Sequence, residues 1–329
     1  MRNPNKGPVL IALILLSAFV APNAARAQED AAGSHKEPLN LQQAVDGDPV
    51  AQVTVGRWYN FGLSGKVDYK SALAWFKKAS DQGSIEGTAL LGSMYLYGHG
   101  VDRNPQQAFR LLTRAAGGGS DLARVYLSQM YSHGWFVSKD TARAYGLLAP
   151  VGDRYPESAT LLGTMYLNGD YVPRDTARAV ELFVSAANRG NSQAEVNLAG
   201  MYLFGLGVRA DALQAAAWLQ RAARYDNPIA EYRLGRLYSQ GIGLPQNFTQ
   251  AASLYESSAE KGYEPAEIEL AIANYWGLGI LRNRTKAYSW FAQATAHGNK
   301  EAALWLDQVR QAMSPQELAA VGLQSSAHH

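Results

Sequence analysis

Three groups of residues in this chain have the types and spacings that could do chemistry. Ser258-Ala259-Glu260-Lys261 sets a hydroxyl and an amine one helical turn apart, the Ser-x-x-Lys spacing in which a lysine serves an acylated serine. Gly98-His99-Gly100, Gly205-Leu206-Gly207, Gly241-Ile242-Gly243 and Gly277-Leu278-Gly279 have the Gly-x-Gly spacing of loops that hold phosphate on backbone N–H groups. His99 and His133 fall near equivalent points of two neighbouring segments, where imidazoles could approach one another as metal ligands.

None of the three has the context its chemistry requires. A phosphate-binding glycine loop follows a strand and opens a helix, whereas a helical pattern precedes every one of these. The serine motif lacks a Ser-Asp-Asn or Lys-Thr-Gly companion and aligns with Ser80-Asp81-Gln82 and Ala187-Asn188-Arg189, which carry no such chemistry. Two histidines lack a third ligand, the chain has no cysteine, and no His-Glu-x-x-His is present, so neither a metal nor a cofactor is expected. Asn247-Phe248-Thr249 and Asn283-Arg284-Thr285 match glycosylation acceptors, but both asparagines stand where a helix begins.

What positions these residues is a recurrence. Ala51, Gly87, Ala123, Ser158, Ala194, Ala230, Ala266 and Ala302 form a column of small residues, spaced by 36 with one interval of 35. Five residues on stand Gly56, Gly92, Ser128, Gly163, Ala199, Gly235 and Ala271, small again. Three further on, Tyr59, Tyr95, Tyr131, Tyr166, Tyr202 and Tyr238 are followed by Asn274. These offsets lie on one face of a helix, and a period of this length is the mark of a stacked repeat array. The helix stops at Gly62, Gly98, Gly134, Gly169, Gly205, Gly241 and Gly277.

Six residues later Asp68, Asn104, Asp140, Asp175, Asp211, Asn247 and Asn283 cap a second helix. On it Ala72, Ala108, Ala144, Ala179, Ala215, Ala251 and Ala287 are invariably alanine, which implies close backbone approach. Bulk follows, as Trp75-Phe76, Leu111-Leu112, Leu147-Leu148, Leu182-Phe183, Trp218-Leu219, Leu254-Tyr255 and Trp290-Phe291. Pro150 interrupts the second helix of the third unit, and the shorter interval falls there, so a kink between units three and four is expected.

Arg2 and Lys6, an apolar run from Val9 to Val20, and Ala25-Arg26-Ala27 read as a secretory signal peptide cleaved after Ala27. That run is too short to span a bilayer, so no membrane insertion after cleavage is expected. Losing Arg2, Lys6 and Arg26 turns the formal net charge of +2 into −1. Without a basic excess there is no footprint for nucleic acid or for an anionic membrane surface.

The columns together resemble the Sel1-like repeat, a longer-looped relative of the tetratricopeptide repeat, from residue 48 to about 313. The resemblance implies an all-α fold, a right-handed α-solenoid of about seven helix-turn-helix repeats with terminal capping helices. Its divisions are 1–27 signal peptide, 28–47 flexible lead-in and short cap, repeats at 48–83, 84–119, 120–154, 155–190, 191–226, 227–262 and 263–298, capping helices at 299–323, and a loose tail at 324–329. The second loop glycine is replaced by Ser64, Phe136 and Tyr171, so those loops should differ in shape.

The recurring columns are small, aromatic or capping, so they build a scaffold and leave function to positions that vary. By resemblance to tetratricopeptide geometry the first helices line a concave face. This makes Arg57, Asn60, Phe61, Tyr97, Gln129, His133, Asn168, Phe204, Arg236, Gln240, Tyr275 and Trp276 candidate partner-binding residues, with Trp135, Phe136 and Tyr171 a second patch on the loops. The resemblance implies a non-catalytic periplasmic or secreted adaptor for another envelope protein or peptide segment, in envelope or exopolysaccharide assembly or in secretion. Two alternatives are a periplasmic regulator of a two-component sensor kinase and a β-lactamase-like envelope hydrolase. The second is disfavoured because members with a β-lactamase label are cysteine-rich.

Overall fold

In a computed structural model the described residues are 40–63 and 65–322. The signal peptide, most of the lead-in, Ser64 and the tail from residue 323 lie outside them. The described residues form helices joined by tight turns, with no strand among them. A short helix α1 (Leu41–Val45) is followed by seven helical pairs: α2 (Pro49–Asn60) with α3 (Tyr69–Asp81), α4 (Ile85–Tyr97) with α5 (Pro105–Gly117), α6 (Asp121–His133) with α7 (Thr141–Leu148), α8 (Pro156–Asn168) with α9 (Thr176–Asn188), α10 (Ser192–Phe204) with α11 (Ala212–Ala223), α12 (Pro228–Gln240) with α13 (Phe248–Glu260), and α14 (Glu264–Trp276) with α15 (Arg284–Ala296). Helices α16 (Lys300–Ala312) and α17 (Pro315–Ala320) close the array. Each helix packs mainly on its predecessor and successor, which is the architecture of an α-solenoid.

The small and bulky columns meet inside each pair. A Cβ built on Gly56 would fall 2.5 Å from the Phe76 ring, on Gly163 2.7 Å from Phe183, and on Gly235 2.7 Å from Tyr255. Real Cβ atoms do not come so near, so at these positions the second helix reaches the first because the first has no side chain there. The alanine column on the second helices is buried throughout, from Ala72 to Ala287.

The turns are closed by one hydrogen bond that recurs in every pair. The N–H of the second-helix cap donates to the carbonyl of the tyrosine column: Asp68 to Tyr59 at 3.0 Å, Asn104 to Tyr95 at 2.8 Å, Asp175 to Tyr166 at 2.9 Å, and so on to Asn283 and Asn274 at 2.8 Å. The cap side chain then accepts from the first turn of its helix, as Asn104 Oδ1 does from the Gln107 N–H at 2.9 Å. Asn247 and Asn283, the two glycosylation matches, accept from Gln250 and Lys286 in the same way. The first helices and α16 are capped by the side chains of Asp48, Ser84, Ser120, Asn191, Asn227 and Asn299, whereas Tyr155 and Tyr263 in the same column make no side-chain cap bond. At the C-terminal end Ser314 and Glu317 form a reciprocal capping box.

The third pair is the irregular one. α7 has eight residues, against 13 in most of the others, and stops at Leu148, two residues before Pro150. The gap to α8 is bridged by polar contacts: Arg154 pairs with Asp121 at 2.5 Å, and Arg189 donates to the carbonyls of Asp153 at 2.6 Å and Arg154 at 2.7 Å.

Gly98 ends α4 at φ +76, and Gly100 follows at φ +70 with its α-carbon against the first turn of α3, where an added Cβ would overlap the carbonyl of Tyr69. Gly98→Val is expected to lower stability by about 1–2 kcal/mol through backbone strain alone. Gly100→Ala is expected to cost more, because strain and overlap add. Urea midpoints of the two variants check the order, and an unchanged midpoint for either would mean that the turn is not built this way.

Candidate partner-binding surface

The varying positions of the first helices fall into stripes, because residues three and four apart share a helix face. One stripe carries Arg57, Ser93, Gln129, Thr164, Gly200, Arg236 and Ile272, and the next turn carries Phe61, Tyr97, His133, Asn168, Phe204, Gln240 and Trp276. The structure treats the two ends of this surface differently.

Toward the N-terminus the stripe residues are occupied with one another. Arg57 pairs with Glu86 of the next repeat at 2.6 Å. Tyr97 donates through its hydroxyl to Gln129 Oε1, again one repeat on, at 2.5 Å, and Gln129 is buried. Tyr97 meets Tyr126 and Trp135 edge-on, and burial holds its phenol well above the usual tyrosine range. His133 stacks on Trp135 at 4.6 Å, with Nδ1 2.8 Å from the carbonyl of Gln129. His99 stacks instead on Tyr69 at 4.3 Å. Asn60 and Phe61 are half-buried, and Tyr97, Gln129 and His133 are chiefly packing residues that lock repeats two and three together.

Toward the C-terminus the stripe is open. Phe204 is 53% exposed and Trp276 57% exposed, with Arg236 and Gln240 exposed between them. Trp276 stands edge-on to Tyr275, which in turn leans on Trp305. Arg236 lies over the Tyr232 ring, 6.0 Å from its centre. Asn168, also exposed, donates to Asp170 at 3.1 Å.

The loop patch divides in a way the sequence did not indicate. Trp135 belongs with Tyr97 and His133, whereas Phe136 and Tyr171 turn outward, 54% and 62% exposed. Phe136 leans on Phe109 at 5.8 Å and Tyr171 on Tyr145 at 5.6 Å. Both hold positive φ, +68 and +69, in the column where other repeats have glycine. A left-handed conformation costs a residue with a Cβ about 1 kcal/mol, so two exposed rings are kept against a local penalty.

The Ser-x-x-Lys motif is not arranged for nucleophilic attack. Ser258 is buried and its hydroxyl donates to the carbonyl of Pro228 at 2.7 Å, while Lys261 binds Glu231 at 2.6 Å and Asp226 at 2.9 Å. Among the described residues no group of three or more His, Asp or Glu side chains is placed to hold a metal ion.

Sequence reasoning missed a column of buried polar groups. Glu195, Glu231 and Glu267 are spaced by 36, each directly after the first small column, and the repeated Ala-Glu dipeptide was the available signal. Each meets the second helix of its own repeat. Glu231 accepts from Lys261 and from Ser257 at 2.9 Å, and Glu267 accepts from Gln293 at 2.7 Å. Arg221 Nε stands 2.7 Å from Glu195 Oε1, too oblique for a hydrogen bond, so both Glu195 oxygens lack one. Burial pushes the Glu195 carboxyl up to about 7 against the attraction of Arg221. Also missed was Arg233, whose column neighbour one repeat back is Asn197.

A carboxyl held above its unfolded value favours the fold when protonated, so that contribution is full at low pH and is lost as pH rises from about 4.5 through about 7. Glu157 and Glu269 are raised by burial as well and act in the same direction. The thermal midpoint is expected to fall between pH 5 and pH 8. Glu195→Gln should flatten that fall by up to about 3 kcal/mol. Calorimetry at the two pH values checks this, and parallel profiles for variant and parent would remove Glu195 as the cause.

Against known proteins, the Sel1 repeat family model matches residues 49–84, 85–120, 122–149, 156–191, 192–224, 228–263 and 265–299. The fold is similar to the crystal structure of a Sel1 repeat protein from Oxalobacter formigenes, at 28% identity and a TM-score of 0.60, over 88% of this chain and 83% of that one. It is also similar to c5321, a protective antigen of uropathogenic Escherichia coli strains displaying an SLR fold, at 28% identity and a TM-score of 0.58 over 88% of this chain. The match spans 61% of the length of that antigen.

Proposed function

Since this chain belongs to the Sel1 repeat family, we propose that it is a non-catalytic scaffold of the bacterial envelope, exported to the periplasm, that binds another envelope protein or peptide segment in envelope or exopolysaccharide assembly or in secretion. Sel1 repeat proteins are in general scaffolds for protein–protein interaction. One observation carries the reading for this chain: in repeats five to seven the first-helix stripe leaves Phe204 and Trp276 exposed, with Arg236 and Gln240 between them. Exposed aromatics beside arginine are the side chains from which binding hot spots are most often made. Among the described residues no helix is long and apolar enough to cross a membrane.

The test is photo-crosslinking in living cells, with benzoylphenylalanine at position 204 or 276 and, as a control, at the exposed Leu213 on a second helix. Adducts to a discrete partner are expected at 204 and 276 and not at 213. Adducts at all three or at none would set the reading aside. The double variant Phe204→Ala/Trp276→Ala is expected to weaken capture about tenfold or more while leaving helicity and thermal midpoint in place. N-terminal sequencing of protein from the periplasmic fraction should begin at Gln28, and recovery of the uncleaved chain in the cytoplasm would refute export.

A further inference from the structure

The open half of the stripe contains a charge with nothing to meet it. Arg233 lies at mid-helix in α12, partly buried, and among the described residues it makes no hydrogen bond and no ion pair. Its guanidinium reaches across to the preceding repeat, where Nη1 would lie 4.0 Å from a Cβ at Gly200. Gly200 itself is anomalous. It is the sole glycine in a column that otherwise holds Arg57, Ser93, Gln129, Thr164, Arg236 and Ile272, and beyond its chain neighbours and its own helix backbone no other atom stands within 4 Å of its missing Cβ. A glycine in the middle of α10 weakens the helix by roughly 0.5–1 kcal/mol relative to alanine, and here no neighbouring group requires it. It leaves a bare floor beside the arginine.

The surroundings are cationic and wanting an acceptor. The groups that act electrostatically on Arg233 are the phenols of Tyr263 and Tyr232 and the like-charged Arg236, one turn along the same helix. Burial lowers the affinity of the Arg233 guanidinium for its proton, and no carboxylate offsets that. One turn before Gly200, Asn197 is buried beside Gln193, joined to it by a 3.2 Å hydrogen bond that leaves Asn197 Nδ2 and Gln193 Oε1 without partners. Turning both amides over keeps that bond and frees the other donor, so an unmet amide N–H remains in either orientation. The acidic residue drawn to Arg236 is Glu269 on α14, itself repelled by Glu301, and neither acts on Arg233. With Glu269 drawn to Arg236 and no carboxylate acting on Arg233, one guanidinium charge is left unmet, which suits a carboxylate better than a dianionic phosphate.

We propose that repeats five and six hold a carboxylate-binding site, in which the Arg233 guanidinium over Gly200, with Arg236 one turn on, receives an acidic side chain of a partner peptide. The guanidinium fork matches the two carboxylate oxygens, and a partly desolvated pair of this kind is stronger than its counterpart in water. The site rests on the scaffold reading and names the chemistry of what the scaffold holds. Phe204 ends α10 one turn beyond Gly200, so an apolar residue flanking the acid would find an exposed ring nearby.

The test is fluorescence anisotropy at physiological salt, using the purified chain with a fluorescein-labelled, C-terminally amidated hexaglutamate peptide and a hexaglutamine control. Hexaglutamate is expected to bind and hexaglutamine not to. Arg233→Gln should weaken binding by about tenfold or more. Gly200→Leu should weaken it as much by covering the floor, while raising the thermal midpoint because a helix-former replaces glycine. The site is overturned if hexaglutamate does not bind, if hexaglutamine binds equally, if both variants bind like the parent, or if inorganic phosphate displaces the peptide more readily than acetate does. Crosslinking at positions 204 and 276 that persists in the Arg233→Gln variant, with no peptide binding, would remove this site and leave the scaffold standing.

Discussion

The repeats depend on one contact, in which a large side chain of the second helix fills the place of a side chain that the first helix lacks or, at Ser128, Ala199 and Ala271, keeps small. Phe76 over Gly56, Leu112 over Gly92, Phe183 over Gly163 and Tyr255 over Gly235 are versions of it. The contact sets the distance between the two helices, and that distance is what allows the cap N–H of the second to reach the tyrosine-column carbonyl of the first. Once both are satisfied, the turn has a fixed length and the next repeat begins at a fixed place. A period of 36, broken once by an interval of 35, is the expression of this packing in the sequence.

The same contact explains why the scaffold and the recognition surface use different residues. Columns committed to the interlock cannot vary, so chemistry is confined to stripes that the second helices do not cover. Near the N-terminus those stripes are consumed as well: Arg57 with Glu86 and Tyr97 with Gln129 tie each repeat to the next. Near the C-terminus repeats are tied at other places, Asn227 to Ser192, Lys261 to Asp226 and Asn299 to Glu264, while the buried Glu195, Glu231 and Glu267 hold the second helix of their own repeat. Such pairs add little net stability, since desolvation offsets attraction, but removing one partner strands a charge. With the ties at those places, the outer stripe of repeats five to seven is left uncommitted.

The fold was legible because it is written seven times. Capping residues, helix-stop glycines and small columns each have a local physical cause, and repetition separates them from coincidence. The surface was legible only in part, because a residue that occurs once cannot be read from a column. Tyr97 and Trp276 hold the same position in their repeats, and yet Tyr97 is tied to Gln129 while Trp276 faces solvent. The position one repeat on is a glutamine in both cases, Gln129 and Gln308; what differs is the side chain itself, since Tyr97 has a hydroxyl for the glutamine to accept and Trp276 has none. The splitting of Trp135 from Phe136 was invisible for a related reason, since adjacent residues in a turn take their directions from φ, and the sequence does not print φ. The Ala-Glu dipeptide, by contrast, was there to be read as a column of buried acids.

The short α7 has a consequence for how the array yields. In a solenoid each repeat is held by its neighbours, so cooperativity travels along the chain only as far as the interfaces are comparable. Between α7 and α8 the direct helix-on-helix packing found at other joints thins out; Val151 of the linker fills the core between Leu148 and Leu162, and Arg154 with Asp121 and Arg189 with two backbone carbonyls hold the outside. Apolar packing is nearly indifferent to ionic strength, whereas exposed ion pairs are screened by it. This joint is therefore salt-sensitive on its outer face and indifferent to salt within. Backbone amides on either side of it should exchange with solvent as two separate blocks, and the uncommitted stripe lies wholly within the second.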